Sequence, residues 1–112
     1  MFPYQTCLNH NHPPISDDNP GKQETFRCRY GTIYVYVEGE AEGEIHAIIP
    51  DGQEEYMKTT MKEIILKPGD QYTLEPDTWH WFQSGPEGGI VSEFSSMSID
   101  ERDLFADPSV KR

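Results

Sequence analysis

Four histidines occur in the 112 residues, and two of them form His10-Asn11-His12. In an extended segment side chains alternate faces, so residues two apart project to the same side. Two imidazoles placed this way reach one metal ion. The pair alone is a weak signal, because short His-x-His runs also arise by chance in loops. Glu24 adds a carboxylate at the start of the next alternating run, and His80 follows a turn at Pro76-Asp77-Thr78-Trp79. Three imidazoles and one carboxylate on an octahedral ion leave two positions open, and such a mixed nitrogen and oxygen set suits Mn, Fe, Co, Ni or Zn. Two adjacent open positions are what chelation of a diol or a hydroxy-carbonyl requires.

Strand-like segments surround these residues. Residues 24–30 alternate large apolar and polar side chains, Gly31 interrupts, and residues 32–37 are an unbroken β-branched and aromatic run. Short strands are also expected over residues 45–49, 61–66 and 71–74. Two more, over 79–83 and 89–95, are expected to be joined by a turn at Ser84-Gly85-Pro86-Glu87-Gly88. The Pro- and Asp-rich stretch 12–21 reads as a loop. Ser98 or Asp100 is expected to cap one helical turn running through Glu101-Arg102-Asp103-Leu104-Phe105. Roughly seven or eight short strands with turn chemistry between them predict an all-β sandwich or barrel.

Composition narrows the alternatives. One domain over residues 1–112 is expected, since this length leaves no room for a second core. Apolar residues make up only 35% but aromatics reach 12%, so the core must use large side chains, and a closed sheet removes its own edges. Nine Lys and Arg against twenty Asp and Glu give a net charge of −11. That charge repels phosphate backbones, so nucleic acid is not an expected partner. No run approaches the roughly 20 apolar residues of a membrane-crossing helix. The first residues lack the basic and apolar regions of a signal peptide, so a cytoplasmic location without a membrane partner is the default expectation. The acids at 38–44 and 100–107 read as solvated surface. Cys7 and Cys28 lack CxxC spacing and read as small hydrophobes, with no disulfide expected.

Taken together, His-x-His, a downstream Glu, Pro68-Gly69-Asp70 and Pro76-x-x-x-His80 resemble the two split motifs of the cupin superfamily. That resemblance implies a small β-barrel of the jelly-roll type. Eleven residues separate His12 from Glu24, far more than in most cupins, and Lys22 stands two before the Glu. This long insertion resembles the D-lyxose isomerase family of bacterial sugar isomerases. Gln5-Thr6-Cys7, His12-Pro13-Pro14, Gly21-Lys22-Gln23-Glu24-Thr25-Phe26-Arg27-Cys28-Arg29, Leu66-Lys67-Pro68-Gly69, His80-Trp81-Phe82 and Val91-Ser92-Glu93-Phe94-Ser95-Ser96 resemble its characteristic runs. So does the ending Asp103-x-Phe105-x-Asp107-Pro108. The resemblance implies a Mn-type ion held by His10, His12, Glu24 and His80, a small sugar as substrate, and a homodimer. Family members carry a largely helical stretch before the barrel. Here Met1 stands almost at the first metal-binding strand, so a natural short form, a mis-called start or a fragment is expected.

Aldose–ketose isomerisation moves a proton between C1 and C2 through an enediol, with a metal ion as Lewis acid and one or two side chains carrying protons. Lys22 and Glu93 are the candidates for those roles. Lys22 faces the same way as Glu24 on an extended chain and would act as an acid or an orienting donor; otherwise it is a solvated lysine at a loop end. Glu93 lies mid-strand in an apolar run, where a carboxylate needs a partner such as a metal pocket unless it faces solvent. Arg27 and Arg29 are expected on the opposite face, outside or at a subunit contact, and His46 at the surface. Phe26, Trp79, Trp81, Phe82 and Phe94 are expected to pack the barrel, with Phe82 also lining the pocket because it shares a face with His80. The implied reaction is D-lyxose to D-xylulose, with mannose to fructose as a related one. The alternatives are a non-catalytic cupin that binds a metal and a small ligand, and an Fe-dependent dioxygenase. The long loop and Lys-x-Glu count against the dioxygenase.

Overall fold

The computed structural model describes residues 1–18, 20–96 and 103–110. Among them the elements run β1 (Thr6–Asn11), β2 (Glu24–Val37), α1 (Glu54–Met57), β3 (Lys62–Leu66), β4 (Gln71–Leu74), β5 (His80–Ser95) and β6 (Leu104–Phe105). The sheet order is β3-β2-β5-β1-β6, with β4 also beside β2, and every pairing of these strands is antiparallel. The fold is mostly β, as the sequence predicts.

Two expected interruptions are not turns. Residues 24–37 form one strand and residues 80–95 form another, so the six described strands fall short of the seven or eight expected. The glycines that suggested breaks sit where the β2–β5 register shifts, at bulges between Cys28 and Tyr30 and between Gly31 and Ile33. Gly31 has φ +71°, and a Cβ there would lie 2.3 Å from the Gly88 carbonyl oxygen. Beyond the bulge β2 changes partner on its other edge: its first half pairs β4 and its second half pairs β3. The turn at residues 67–70 joins these two strands. Its Asp70 carboxylate accepts the Lys67 N–H at 3.0 Å, and its Gly69 N–H and Asp70 carbonyl bond the Cys28 backbone.

Period-two alternation gives the sheet two apolar faces. One face supplies Phe26, Cys28, Ile33, Val35, Val37, Leu66, Leu74 and Phe82 to an inner cluster. The other supplies Tyr34, Tyr36 and Trp81, which pack with Ala47 and Met57 in an outer cluster. Tyr36 and Trp81 stack with centroids 4.1 Å apart. The connection between β2 and β3 covers this outer face, held by a parallel bridge from Gly39 to Thr60 and by Trp81 Nε1 donating to Thr60 O at 2.7 Å. Within it, the unforeseen helix α1 brings in buried Met57, with Glu54 and Glu55 in its first turn where the helix dipole favours acids.

Residues 45–49, expected as a strand, are not one. The buried Gln83 amide donates to Ile48 O at 2.7 Å and accepts Ile48 N–H at 2.9 Å, so a side chain stands in for a neighbouring strand. The helical turn expected over 101–105 is also corrected at its end: Leu104 and Phe105 pair with Asn11 and His10 as β6. The start of that expected turn, residues 98–102, lies outside the described residues.

The Gly31 contact is testable by comparison with Gly52, which has φ +83° but open space where a methyl group would project. Gly52→Ala isolates backbone strain, at about 1 kcal/mol. Gly31→Ala is expected to cost at least about 2 kcal/mol more, because a carbonyl must also move. Urea unfolding curves measure both, and equal losses would refute the close approach.

Candidate metal centre

Glu24 and His80 occupy opposite ends of the β2–β5 ladder, since Glu24 faces Ser95 and His80 faces Val37. At the usual rise a straight ladder would separate them by about 40 Å. The bulged ribbon instead doubles back and brings them together. His10, near the end of β1, is the direct cross-strand partner of His80, and His12 follows one residue after that strand. All four side chains are buried, none more than 5% exposed. One ligand atom from each lies within 4.8 Å of the others. Ring centroids are 4.2 Å apart for His10 and His80, 4.9 Å for His10 and His12, and 5.3 Å for His12 and His80.

Each ring has its Nδ1 engaged by an oxygen: His10 by Leu8 O at 2.7 Å, His12 by Asp103 Oδ1 at 2.7 Å, and His80 by Thr78 O at 2.9 Å. An acceptor at Nδ1 keeps the proton there and leaves Nε2 with a lone pair. His12 Nε2 and His80 Nε2 are buried without a hydrogen-bond partner among the described residues. A buried polar atom left this way is costly unless something binds it. Glu24 Oε1 comes within 2.5 Å of His12 Nε2 but out of hydrogen-bond alignment. A lone pair facing a carboxylate calls for positive charge, either a proton on that nitrogen or a cation shared by all four groups.

The protonation states favour ligation. Burial, followed by the charge of His80, pushes His10 down to about 3. Burial also lowers His80. Burial acts downward on His12 too, but the Glu24 and Asp103 carboxylates beside the ring outweigh it and raise it. On Glu24 burial acts upward, yet the close His12 ring and the charges of His12, Lys22 and His80 hold the carboxyl at about 2. Near neutrality two imidazoles are therefore neutral and the carboxylate is ionised, the forms in which these groups bind metals. This donor set could hold a divalent ion.

The two proton-carrying candidates are placed differently. Lys22 Nζ lies 3.2 Å from Glu24 Oε1, so it touches the cluster. Glu93 is the cross-strand partner of Phe26, which puts it on the face of Glu24 and His80, but its side chain is exposed at the solvent end. Arg27 and Arg29 are exposed on the other face, with Arg29 Nε donating to Ser92 Oγ at 3.0 Å. Phe82 is buried against Phe26 in the inner cluster, centroids 5.0 Å apart. Trp81 is a packing residue as expected, filling the outer cluster, whereas Phe94 departs from that expectation at 53% exposed. His46 is exposed as expected but partnered, bonding Glu63 at 2.8 Å and stacking on Tyr34.

Sequence reasoning misses Asp103 and Phe105. The acids at 100–107 are expected on a solvated surface, yet Asp103 has a side chain only 2% exposed and bonded to His12. Phe105 stacks on His10 with centroids 5.4 Å apart. A two-residue strand shows no periodicity, and a separation of 91 residues leaves no local signal. A cleft of about 770 Å³ is lined by Pro14, Pro20, Glu75 and Asp77 among others. None of the four clustered groups lines it.

Residues 32–112 match the family model for D-lyxose isomerase. The D-lyxose ketol-isomerase of Cohnella laeviribosi is 58% identical over all 112 residues. The D-lyxose/D-mannose isomerase of Thermosediminibacter oceani is 60% identical over the same span. The chain spans about 60% of the length of these curated relatives. Among solved structures, the L-ribose isomerase of Cellulomonas parahominis with L-psicose superposes with a TM-score of 0.75 at 18% identity, over 93% of this chain and 54% of that one. At that identity the likeness is one of fold, the cupin fold. With most of its length matched by one family model and relatives at this identity, the chain belongs to the D-lyxose isomerase family.

Proposed function

We propose that this chain carries the metal-binding catalytic site of a ketol-isomerase that interconverts D-lyxose and D-xylulose, with D-mannose and D-fructose as a related pair. The observation that supports it is the buried cluster itself: four ligand atoms within 4.8 Å, three of them on rings whose other nitrogen is already engaged. The names of the relatives supply the reaction. Mn is the proposed ion, with Zn, Co, Ni and Fe compatible with the same donors. A homodimer is the proposed assembly. Tyr30, its cross-strand partner Ile90, and Phe94 are each more than half exposed on the outer sheet face, an apolar area suited to a second copy.

His10, His12, Glu24 and His80 would hold the ion, which when bound supplies Lewis-acid stabilisation to the sugar oxygens next to C1 and C2. The proton transfers belong to the chain. Glu93, on the cluster's face but reached by solvent, takes the C2 proton to give the enediol and returns a proton to C1. Lys22, held by Glu24, orients the substrate, donates a proton to O1 as that carbonyl becomes a hydroxyl, and takes one back from O2 as that hydroxyl becomes the carbonyl. The buried aromatic floor of Phe26 and Phe82 keeps water from the reacting carbons.

Incubating the Mn-loaded protein with lyxose in deuterated water tests the proton route. Deuterium at C1 of xylulose and at C2 of recovered lyxose is expected. Ketose without solvent label indicates a hydride shift and removes the roles of Lys22 and Glu93. Intact metal binding without turnover identifies a binding protein instead. His80→Ala is expected to weaken Mn binding by more than about 100-fold, beyond the loss usual for a supporting residue, measured by titration calorimetry. Glu93→Gln should keep the ion and lose turnover by about 10²–10⁴-fold, and a fully active variant ends that assignment.

A further inference from the structure

We infer that Asp103 is a positioning residue of the metal centre: by accepting the His12 Nδ1 proton it holds that ring with Nε2 toward the ion, which makes the C-terminal segment part of the site. The inference rests on the metal-centre reading above. The three rings are not anchored alike. His10 and His80 each bond the carbonyl two residues earlier in their own stretch of chain, Leu8 and Thr78. Any sequence supplies such a carbonyl. His12 is anchored by a carboxylate from 91 residues away, buried with it.

The position of Asp103 is built, not incidental. β6 pairs His10 with Phe105 and Asn11 with Leu104, so continuing the same register sets Asp103 opposite His12. Ala106 N–H donates to Asn9 O at 2.9 Å at the other end of this short ladder. Gln53 Nε2 donates to Asp107 Oδ2 at 2.8 Å and fixes the segment further along. His12 thus lies between two carboxylates, Asp103 at Nδ1 and Glu24 at Nε2. Without Asp103 the ring loses its reason to prefer this tautomer and is free to turn its protonated nitrogen toward Glu24. A carboxylate behind a ligating imidazole also makes it a stronger donor.

The test uses the full chain, Mn²⁺ binding followed by electron paramagnetic resonance at fixed pH, and the visible spectrum of the Co²⁺-loaded protein. Asp103→Ala is expected to weaken Mn²⁺ by about 10–100-fold and to change the Co²⁺ spectrum. Asp103→Asn keeps an acceptor oxygen and should recover most of that loss. Gln53→Ala loosens the same segment without touching His12 and should bind as the unaltered protein does. If D103A does not fold, Asp103→Ser, whose hydroxyl is too short to reach Nδ1, takes its place. Unchanged affinity and spectrum in D103A, with binding lost in His12→Ala, would overturn the inference and leave the metal centre standing. Equal losses in Q53A and D103A would overturn it in favour of simple docking of the segment. Undiminished binding in H12A would instead remove the metal-centre reading on which it rests.

Discussion

The site exists because a long two-stranded ribbon is bent back on itself. Glu24 and His80 begin their respective strands, and antiparallel pairing sends those two beginnings to opposite ends of one ladder. Hydrogen bonding alone would keep them apart. The bend needs residues that tolerate an extra unit in the ladder and a carbonyl pressed close against the backbone, and Gly31 meets both conditions. Exchange of partners along the other edge of β2 then continues the curvature, with β4 beside one half and β3 beside the other. Once the ribbon is closed, His10 needs only to sit beside His80, which β1 provides.

Within the enclosed space, electrostatics and tautomers settle which atoms are offered. Burial discourages charge on imidazoles and would discourage it on Glu24, but the cluster's own positive neighbours keep that carboxylate ionised. The oxygens at each Nδ1 matter because they decide which nitrogen faces inward. Lys22 adds a cation at the rim of the same carboxylate. The result is a buried cluster of nitrogens and a carboxylate turned toward one another, a set that could hold a divalent ion.

Much of this is legible in the residues. His10, His12, Glu24 and His80 are identifiable because period-two alternation and two split motifs leave a trace over short distances. The strand content is legible for the same reason. The strand count is not, since Gly31 and the Ser84–Gly88 run carry the composition of turns while serving as bulges within continuous strands. Residues 45–49 have strand composition, but Gln83 satisfies the backbone that a strand would have paired. Asp103 is hidden among neighbouring acids, and only the β1–β6 pairing distinguishes it from them. Contacts that cross most of the chain leave no local pattern to read.

The stacked pair of Tyr36 and Trp81 lies on the face of the sheet away from the cluster, yet it governs the cluster's identity. Adjacent residues of a strand face opposite ways, so moving β5 by one position would swing an indole into the place of the His80 imidazole and remove that ring from the cluster. That slip would also break the stack and strip the Trp81 N–H from Thr60. A feature that takes no part in coordination therefore works as an alignment key, and mutations that loosen it would scramble the donor set without altering a single donor.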